Sequence, residues 1–285
     1  MLKEWPLVAF TILGQTAVGL FIIGLTPSVM FMSGPFMDPA SLSTVLEAIF
    51  CLLAVAALLS FLHLHHPIKA VRVLANVRTS WLSREILFEL LFMALVAAEF
   101  FLVRAGGSLS LVRLVYLLAG LAGLLFLLSM VKIYALESLP FWKQTGTPLL
   151  FASTSLSLGA LSAGGLSGGP GFFVLAVPLI LIDLAVALFY SPGHGLFVRR
   201  PGAAIRPPAV LAHGLHVTSL GLETAGLILI VGVSLTALGG RLNGVVLPAL
   251  LSPAVLAAQV VRRFTFYGLR GRGRVFWGRA KSSRR

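Results

Sequence analysis

His63–Ile86 reads HLHHPIKAVRVLANVRTSWLSREI and is the longest polar-containing interruption in the N-terminal half of the chain. On each side lies an apolar run long enough to cross a bilayer, which makes the stretch a connector at a membrane surface. Pro67 suits the first turn of a helix, where its missing N–H costs nothing. After it, Ala70, Val73, Leu74, Val77 and Trp81 recur at three- and four-residue steps, one helical face. Lys69, Arg72, Asn76 and Thr79 keep the same rhythm on the opposite face. The pattern predicts a short amphipathic helix over about 66–80, lying in the headgroup region. Its ends carry the side chains of interest: His63 where one span stops and Glu85 where the next begins. Lys69 adds a cation beside them.

The rest of the chain agrees with a membrane setting. Of the 285 residues 58% are hydrophobic and 11% charged, where a soluble domain carries roughly a quarter charged residues. Mean hydropathy is +0.99. The first apolar run, after Lys3 and Glu4, is about twice as long as a signal-peptide core, so no cleavable leader is expected. The single cysteine, Cys51, lies inside an apolar run. It can make no internal disulfide, and one thiolate cannot hold an iron–sulfur cluster.

A span needs about 20 apolar residues, and eight runs qualify: 6–31, 43–63, 86–103, 111–133, 147–166, 171–190, 214–238 and 245–261. The expected fold is an all-α, polytopic bundle of eight transmembrane helices. It forms a membrane domain over 1–261, followed by a basic tail over 262–285. Eight spans put both termini on one side. Of the 22 Lys and Arg residues, only Arg104, Arg113 and Arg241 fall on the other side. The positive-inside rule then places both termini, and the His63–Glu85 surface, in the cytoplasm; an acidic partner docking on that face is a competing cause of the same bias. Topology accounts for the net charge of +13, so nothing points to nucleic acid, and the basic tail suits anionic membrane lipid.

Ionisable groups within spans are expensive and are functional candidates by default. Glu85 and Glu89 stand one turn apart on the third span, with Glu99 further along. Asp183 lies near the middle of the sixth. On the seventh, His213, His216, Leu220 and Glu223 are spaced three, four and three apart, so both histidines and the glutamate share a face. Haem ligation would need paired histidines at depth on facing spans, and these histidines stand at span ends. Gly165-Leu166-Ser167-Gly168 has the form of an intramembrane serine protease motif. Ser167 and His213, however, flank opposite ends of the sixth span, about 30 Å apart, beyond the reach of a nucleophile and its base. Quinol oxidation needs a proton acceptor at each hydroxyl and an apolar slot for the tail. A histidine titrating near neutrality suits one end and a partly buried carboxylate the other. His63 and Glu85 fit that demand, with Lys69 or Arg72 as the tuning cation.

The same residues resemble a known family, the membrane anchor subunits of dimethyl sulfoxide reductase (DmsC). Glu4-Trp5-Pro6-Leu7, Phe10-Thr11 and Gly14-Gln15 resemble the family's start. His63-Leu64-His65-His66-Pro67-Ile68-Lys69-Ala70 resembles its His-Leu-Gly-x-Pro-x-Arg-Ala element, and Leu82-Ser83-Arg84-Glu85-Ile86 its Leu-Ser-x-Glu-Ile. Val131-Lys132-Ile133-Tyr134, Pro140-Phe141-Trp142, Thr147-Pro148 and Phe266-Tyr267-Gly268 follow in order. The resemblance implies an anchor of an anaerobic respiratory complex in the prokaryotic inner membrane. It implies that menaquinol is oxidised for an iron–sulfur subunit and a molybdopterin catalytic subunit. It also implies a quinol site at His63, Lys69 and Glu85. Two departures are His65 in place of glycine and Lys69 in place of arginine, which alone makes a planar bidentate contact.

The expected site is therefore His63, Lys69, Arg72 and Glu85, with Glu89, His213, His216 and Glu223 as secondary candidates. No haem or cluster of the chain's own is expected, so electrons must leave directly to a partner. A rival reading is an ion- or proton-coupled transporter with Asp183 and Glu223 as a midplane pair. A third is a passive anchor without a site.

Overall fold

A computed structural model describes residues 5–32, 36, 38–63, 76–134, 146–167, 170–190, 207–238 and 246–268. Among these residues there is no strand, and eight long helices follow one another: α1 (Trp5–Met30), α2 (Pro39–His63), α3 (Trp81–Arg104), α4 (Leu109–Tyr134), α5 (Gly146–Ser167), α6 (Pro170–Tyr190), α7 (Pro207–Leu238) and α8 (Val246–Gly268). Seven of them, α1 to α7, are long and apolar enough to cross a membrane. The helices fall close to the runs read from sequence, with two differences. The seventh starts earlier, at Pro207. The eighth continues past 261, where the sequence places the start of the tail, through Arg262 and Arg263 to Gly268. Most of the expected interfacial helix over 66–80 lies outside the described residues. Its described end is a turn, in which Thr79 and Ser80 donate backbone N–H groups to Asn76 O. Trp81, expected on that helix's apolar face, opens α3 instead.

Local chemistry sets several boundaries. Asp38 caps α2, accepting the Ser41 N–H at 2.8 Å, and Pro39 takes the first helical position, where no donor is needed. Ser80 caps α3 by accepting the Ser83 N–H at 3.3 Å. At the far end of α3 the backbone turns at Gly106, whose φ of 67° favours glycine. There Gly106 N–H reaches Val103 O and Gly107 N–H reaches Leu102 O, at 3.2 and 2.8 Å, a Schellman stop. Arg113 closes the end of α1, donating from Nε and Nη2 to Val29 O and Met30 O at 3.1 and 3.2 Å. The Ser41 backbone and side chain hold the Asp38 carboxyl below its ordinary value. A lowered folded value means the cap's contribution is complete above the unfolded value and lost as pH falls through the folded one. Asp38→Ala is thus expected to speed amide exchange at Ser41 and Leu42 near neutral pH, with the difference from wild type vanishing in acid.

The centre of the bundle is the pair α1 and α5. In their apolar windows 72% and 67% of residues are buried, against no more than 44% in any other span. This explains why α5 is the least apolar span: it faces protein on most sides and little lipid. Ser153, Thr154, Ser155, Ser157, Gly159, Ala160 and Ala163 are all buried on it. Small residues let two membrane helices approach closely, and here they do. A Cβ placed on Gly19 would lie 1.8 Å from Ser155 O, and one on Gly159 would lie 2.2 Å from the Gly19 carbonyl carbon. The Ser155 hydroxyl donates to Gln15 O at 2.7 Å across the same contact. Around this pair α2 lies against α1 and α3, α3 runs along α4, α6 along α5, and α7 between α6 and α8. The outer faces are lipid-facing, as on α4 with Leu114, Leu117, Leu121, Leu124 and Leu128 exposed.

α1 changes its winding halfway. Residues Phe21–Leu25 form a π-helical turn just before Thr26 and Pro27, where proline offers no N–H to continue the ladder. The Thr26 hydroxyl donates back to Ile22 O and lies 2.5 Å from the Tyr116 hydroxyl on α4. Phe21 fills the space beside the turn, stacked on Tyr116 at 4.8 Å and edge-on to Phe92 at 5.3 Å.

Candidate functional site

The described part of the expected site is the start of α3. The four-residue step from Glu85 to Glu89 puts both on the face turned inward, and both are buried there with Ser83. Each glutamate keeps one oxygen, Oε1, without a hydrogen-bond partner among the described residues. One turn nearer the surface, the Trp81 ring lies between two cations. The Arg84 guanidinium is 4.2 Å and the Lys132 ammonium 5.9 Å from its centroid. Arg84 also donates from Nε to Val77 O at 2.8 Å and from Nη2 to Arg78 O at 2.7 Å. These bonds fasten Val77 and Arg78, at the end of the His63–Ser80 connector, onto the first turn of α3. His63 is the last residue of α2, which packs along α3. Its side chain, and Lys69 and Arg72 entirely, lie outside the described residues.

A second polar cluster occupies the other half of the bundle. Asp183 on α6 accepts from the Ser153 hydroxyl at 2.5 Å, Gln259 Nε2 at 2.6 Å and Arg262 Nη1 at 2.8 Å. The Thr154 hydroxyl stands 3.2 Å from both Asp183 Oδ1 and Gln259 Oε1. Arg262 spans to α7 as well, donating from Nη2 to Glu223 Oε2. Next to it, Arg263 donates to Gln15 Oε1 at 2.7 Å and lies 3.9 Å over the Phe151 ring. Every member is buried. A charge in the bilayer core is tolerated where it is paired and hydrogen-bonded, as Arg262 is with Asp183 and Glu223 across α6, α7 and α8, while Gln15 on α1 and the Phe151 ring on α5 engage Arg263.

The structure thus separates the candidate residues. Glu85 and Glu89 stand together on α3. Glu223 belongs with Asp183 and Arg262, and buried His216 shares its helix; the His213 side chain lies outside the described residues. The sequence reading missed Arg262, Arg263, Gln259 and Gln15. A signal was present: Val255, Gln259 and Arg262 continue one helical face at steps of four and three.

The chain matches the family described as DMSO reductase anchor subunit (DmsC) over residues 1–191. It belongs to that family. Its relatives include the anaerobic dimethyl sulfoxide reductase chain YnfH of Escherichia coli (strain K12), 28% identical over 279 residues, 93% of this chain and 94% of the relative. A second anaerobic dimethyl sulfoxide reductase chain of the same organism is 26% identical over the same shares. A sulfite dehydrogenase subunit of Allochromatium vinosum is 34% identical over 143 residues, 46% of this chain and 41% of the relative. No solved structure matches the fold. As a member of the DMSO reductase anchor subunit family, the chain is a multi-pass protein of the bacterial inner membrane.

Proposed function

We propose that this anchor binds menaquinol at the junction of α2, the His63–Ser80 connector and α3, oxidises it, and passes the electrons to an iron–sulfur partner subunit serving a molybdopterin catalytic subunit. The observation that carries the reading is Glu85: a buried carboxylate whose Oε1 has no hydrogen-bond partner among the described residues, next in sequence to Arg84, which holds the end of the connector. Quinol oxidation releases two electrons and two protons. His63 accepts one proton and Glu85 the other, with Glu89 one turn behind to receive it onward. Lys69 and Arg72 orient the headgroup or the partner. An imidazole suits proton transfer near neutral pH, and a carboxylate out of water is held in place for the same task.

The charge distribution is what the positive-inside rule expects of a cytoplasmic face, and an acidic partner docked on that face would favour the same distribution. The transporter reading requires Asp183 and Glu223 as an open pair for a solute ion. Arg262 lies between them and donates to both, which favours the anchor reading. In the assembled complex, His63→Ala and Glu85→Gln are each expected to lower quinol-driven reduction at least about a hundredfold, with the complex still membrane-bound. Unchanged rates in both variants would leave a passive anchor.

A further inference from the structure

Quinol oxidation makes no use of two cations that share one ring at the membrane surface. Trp81 and Arg84 are half-buried at the start of α3, and Lys132 is exposed two residues before the end of α4. The guanidinium is 4.2 Å and the ammonium 5.9 Å from the Trp81 centroid. The two charges are therefore within about 10 Å of each other, no more than a Debye length at 0.1 M salt. A ring face attracts cations through its quadrupole but carries no charge, so Trp81 gathers the pair without neutralising it. Neither cation forms an ion pair among the described residues. The first turn of α3 holds no acidic residue, and Glu85 and Glu89 are buried on its inward face. Glu137, five residues beyond Lys132, lies outside the described residues. Arg84 gives Nε and Nη2 to the Val77 and Arg78 carbonyls, which fixes its head in place and leaves its charge.

The surface beneath the pair selects the kind of anion. On α4, Leu128, Leu124 and Leu121 follow Lys132 at steps of four, four and three, and all three are exposed. On α3, Leu87 and Leu91 stand three and seven residues from Arg84, and both are exposed. The two helices pack along one another, so the leucines make one apolar wall that starts at the cations. From Lys132 to Leu121 the wall runs about 16 Å, the depth of one leaflet in a hydrocarbon core of about 30 Å. An acidic protein segment would satisfy the cations and leave the wall uncovered. A phospholipid satisfies both, and tryptophan belongs at the level of its headgroup.

We propose that Trp81, Arg84 and Lys132 form a binding site for one anionic phospholipid, whose phosphate bridges the two cations while an acyl chain lies along the α3–α4 leucines. The inference is independent of quinol oxidation. Arg84 Nη1, which makes no hydrogen bond among the described residues, and the Lys132 ammonium are the donors to the phosphate. A charge-assisted bond to phosphate is stronger than a neutral one. A zwitterionic lipid brings its own ammonium to the same place and gains less, so the site discriminates by headgroup charge.

The test uses the full chain in lipid nanodiscs, with Trp5, Trp142 and Trp277 changed to phenylalanine so that Trp81 alone fluoresces. Phosphatidylglycerol with brominated acyl chains, which quench a tryptophan on contact, is titrated into a phosphatidylcholine background. Brominated phosphatidylcholine is titrated in the same way. Phosphatidylglycerol is expected to occupy the site at least about tenfold more readily. Lys132→Gln, a change at an exposed position, should lower that preference about fivefold, and Lys132→Arg should keep it. Native mass spectrometry of the chain with all four tryptophans is the second readout. It should show one phosphatidylglycerol retained in wild type and less in Lys132→Gln. Equal quenching by the two lipids, or a preference unchanged in Lys132→Gln, would overturn the site. A preference that appears only in Glu137→Gln would show that the chain neutralises its own cations, and would overturn it too. In the assembled complex the preference should persist; its loss there would assign the pair to the partner subunit instead.

Discussion

Arg262→Ala is expected to destabilise the bundle by about 3–5 kcal/mol, the usual cost of stranding a buried charge by removing its partner. Arg262 is the one cation joining Asp183 on α6 to Glu223 on α7 among the described residues, and all three are buried. Without it two carboxylates face each other in the bundle core. Asp183 keeps its bonds from Ser153 and Gln259, but Glu223 has no other described hydrogen bond, since its Oε1 is already unpartnered. The larger part of the loss therefore comes from Glu223. The triple variant Arg262→Met, Asp183→Asn, Glu223→Gln removes the charges as a set and is expected to recover most of the stability. Unfolding in mixed detergent micelles reads both variants. A single Arg262→Ala within about 1 kcal/mol of wild type would show that the cluster contributes no more than an exposed ion pair.

Gly19→Ala should be nearly as damaging, although it adds one methyl group to a helix and alanine is the better helix former. The new Cβ would lie 1.8 Å from Ser155 O and 2.6 Å from its carbonyl carbon. Both are backbone atoms, so no side chain can swing aside. α1 and α5 must move apart, which breaks the Ser155–Gln15 bond and loosens the most buried pair in the bundle. Overpacking a well-packed core costs about 1–3 kcal/mol, and this rigid backbone clash belongs at or above the top of that range. Gly159→Ala meets the same obstacle from the other side. Gly165→Ala on the same helix has nothing within 4 Å of its added carbon and is the control, expected to be neutral or slightly stabilising. Equal thermal midpoints for Gly19→Ala and Gly165→Ala in detergent would refute the close approach.

The fold was legible because a bilayer imposes length. An apolar run able to cross it stands out, and all eight runs correspond to helices. The Glu85–Glu89 pair was legible for a related reason, since a four-residue step on a lone span already fixes a shared face. Arg262 was not. Its partners lie 39 and 79 residues away, and two adjacent arginines after an apolar run look locally like the first residues of a basic tail. Only tertiary packing reveals that they are inside. The inward polarity of α5 escaped for the converse reason. Serine, threonine and glycine in a span lower its hydropathy without indicating which helix they meet, and Gln15 of α1 is visible as their neighbour only once the helices are assembled. Trp81 fits either side of a helix boundary by spacing alone, and the Ser80 cap decides it.

The buried arginines of α8 also bear on how the protein enters the membrane. Each arginine deep in a helix adds about 2.5–3.5 kcal/mol to its insertion by the translocon, so α8 is a poor candidate to partition into lipid alone. Its partners precede it in the chain: the counter-charges Asp183 and Glu223 sit on α6 and α7, and the neutral amide of Gln15, which accepts from Arg263, on α1. Translation thus builds the receptacle before the segment that needs it. α8 becomes a membrane helix by docking into protein, and its insertion doubles as a check that α1, α6 and α7 are correctly assembled.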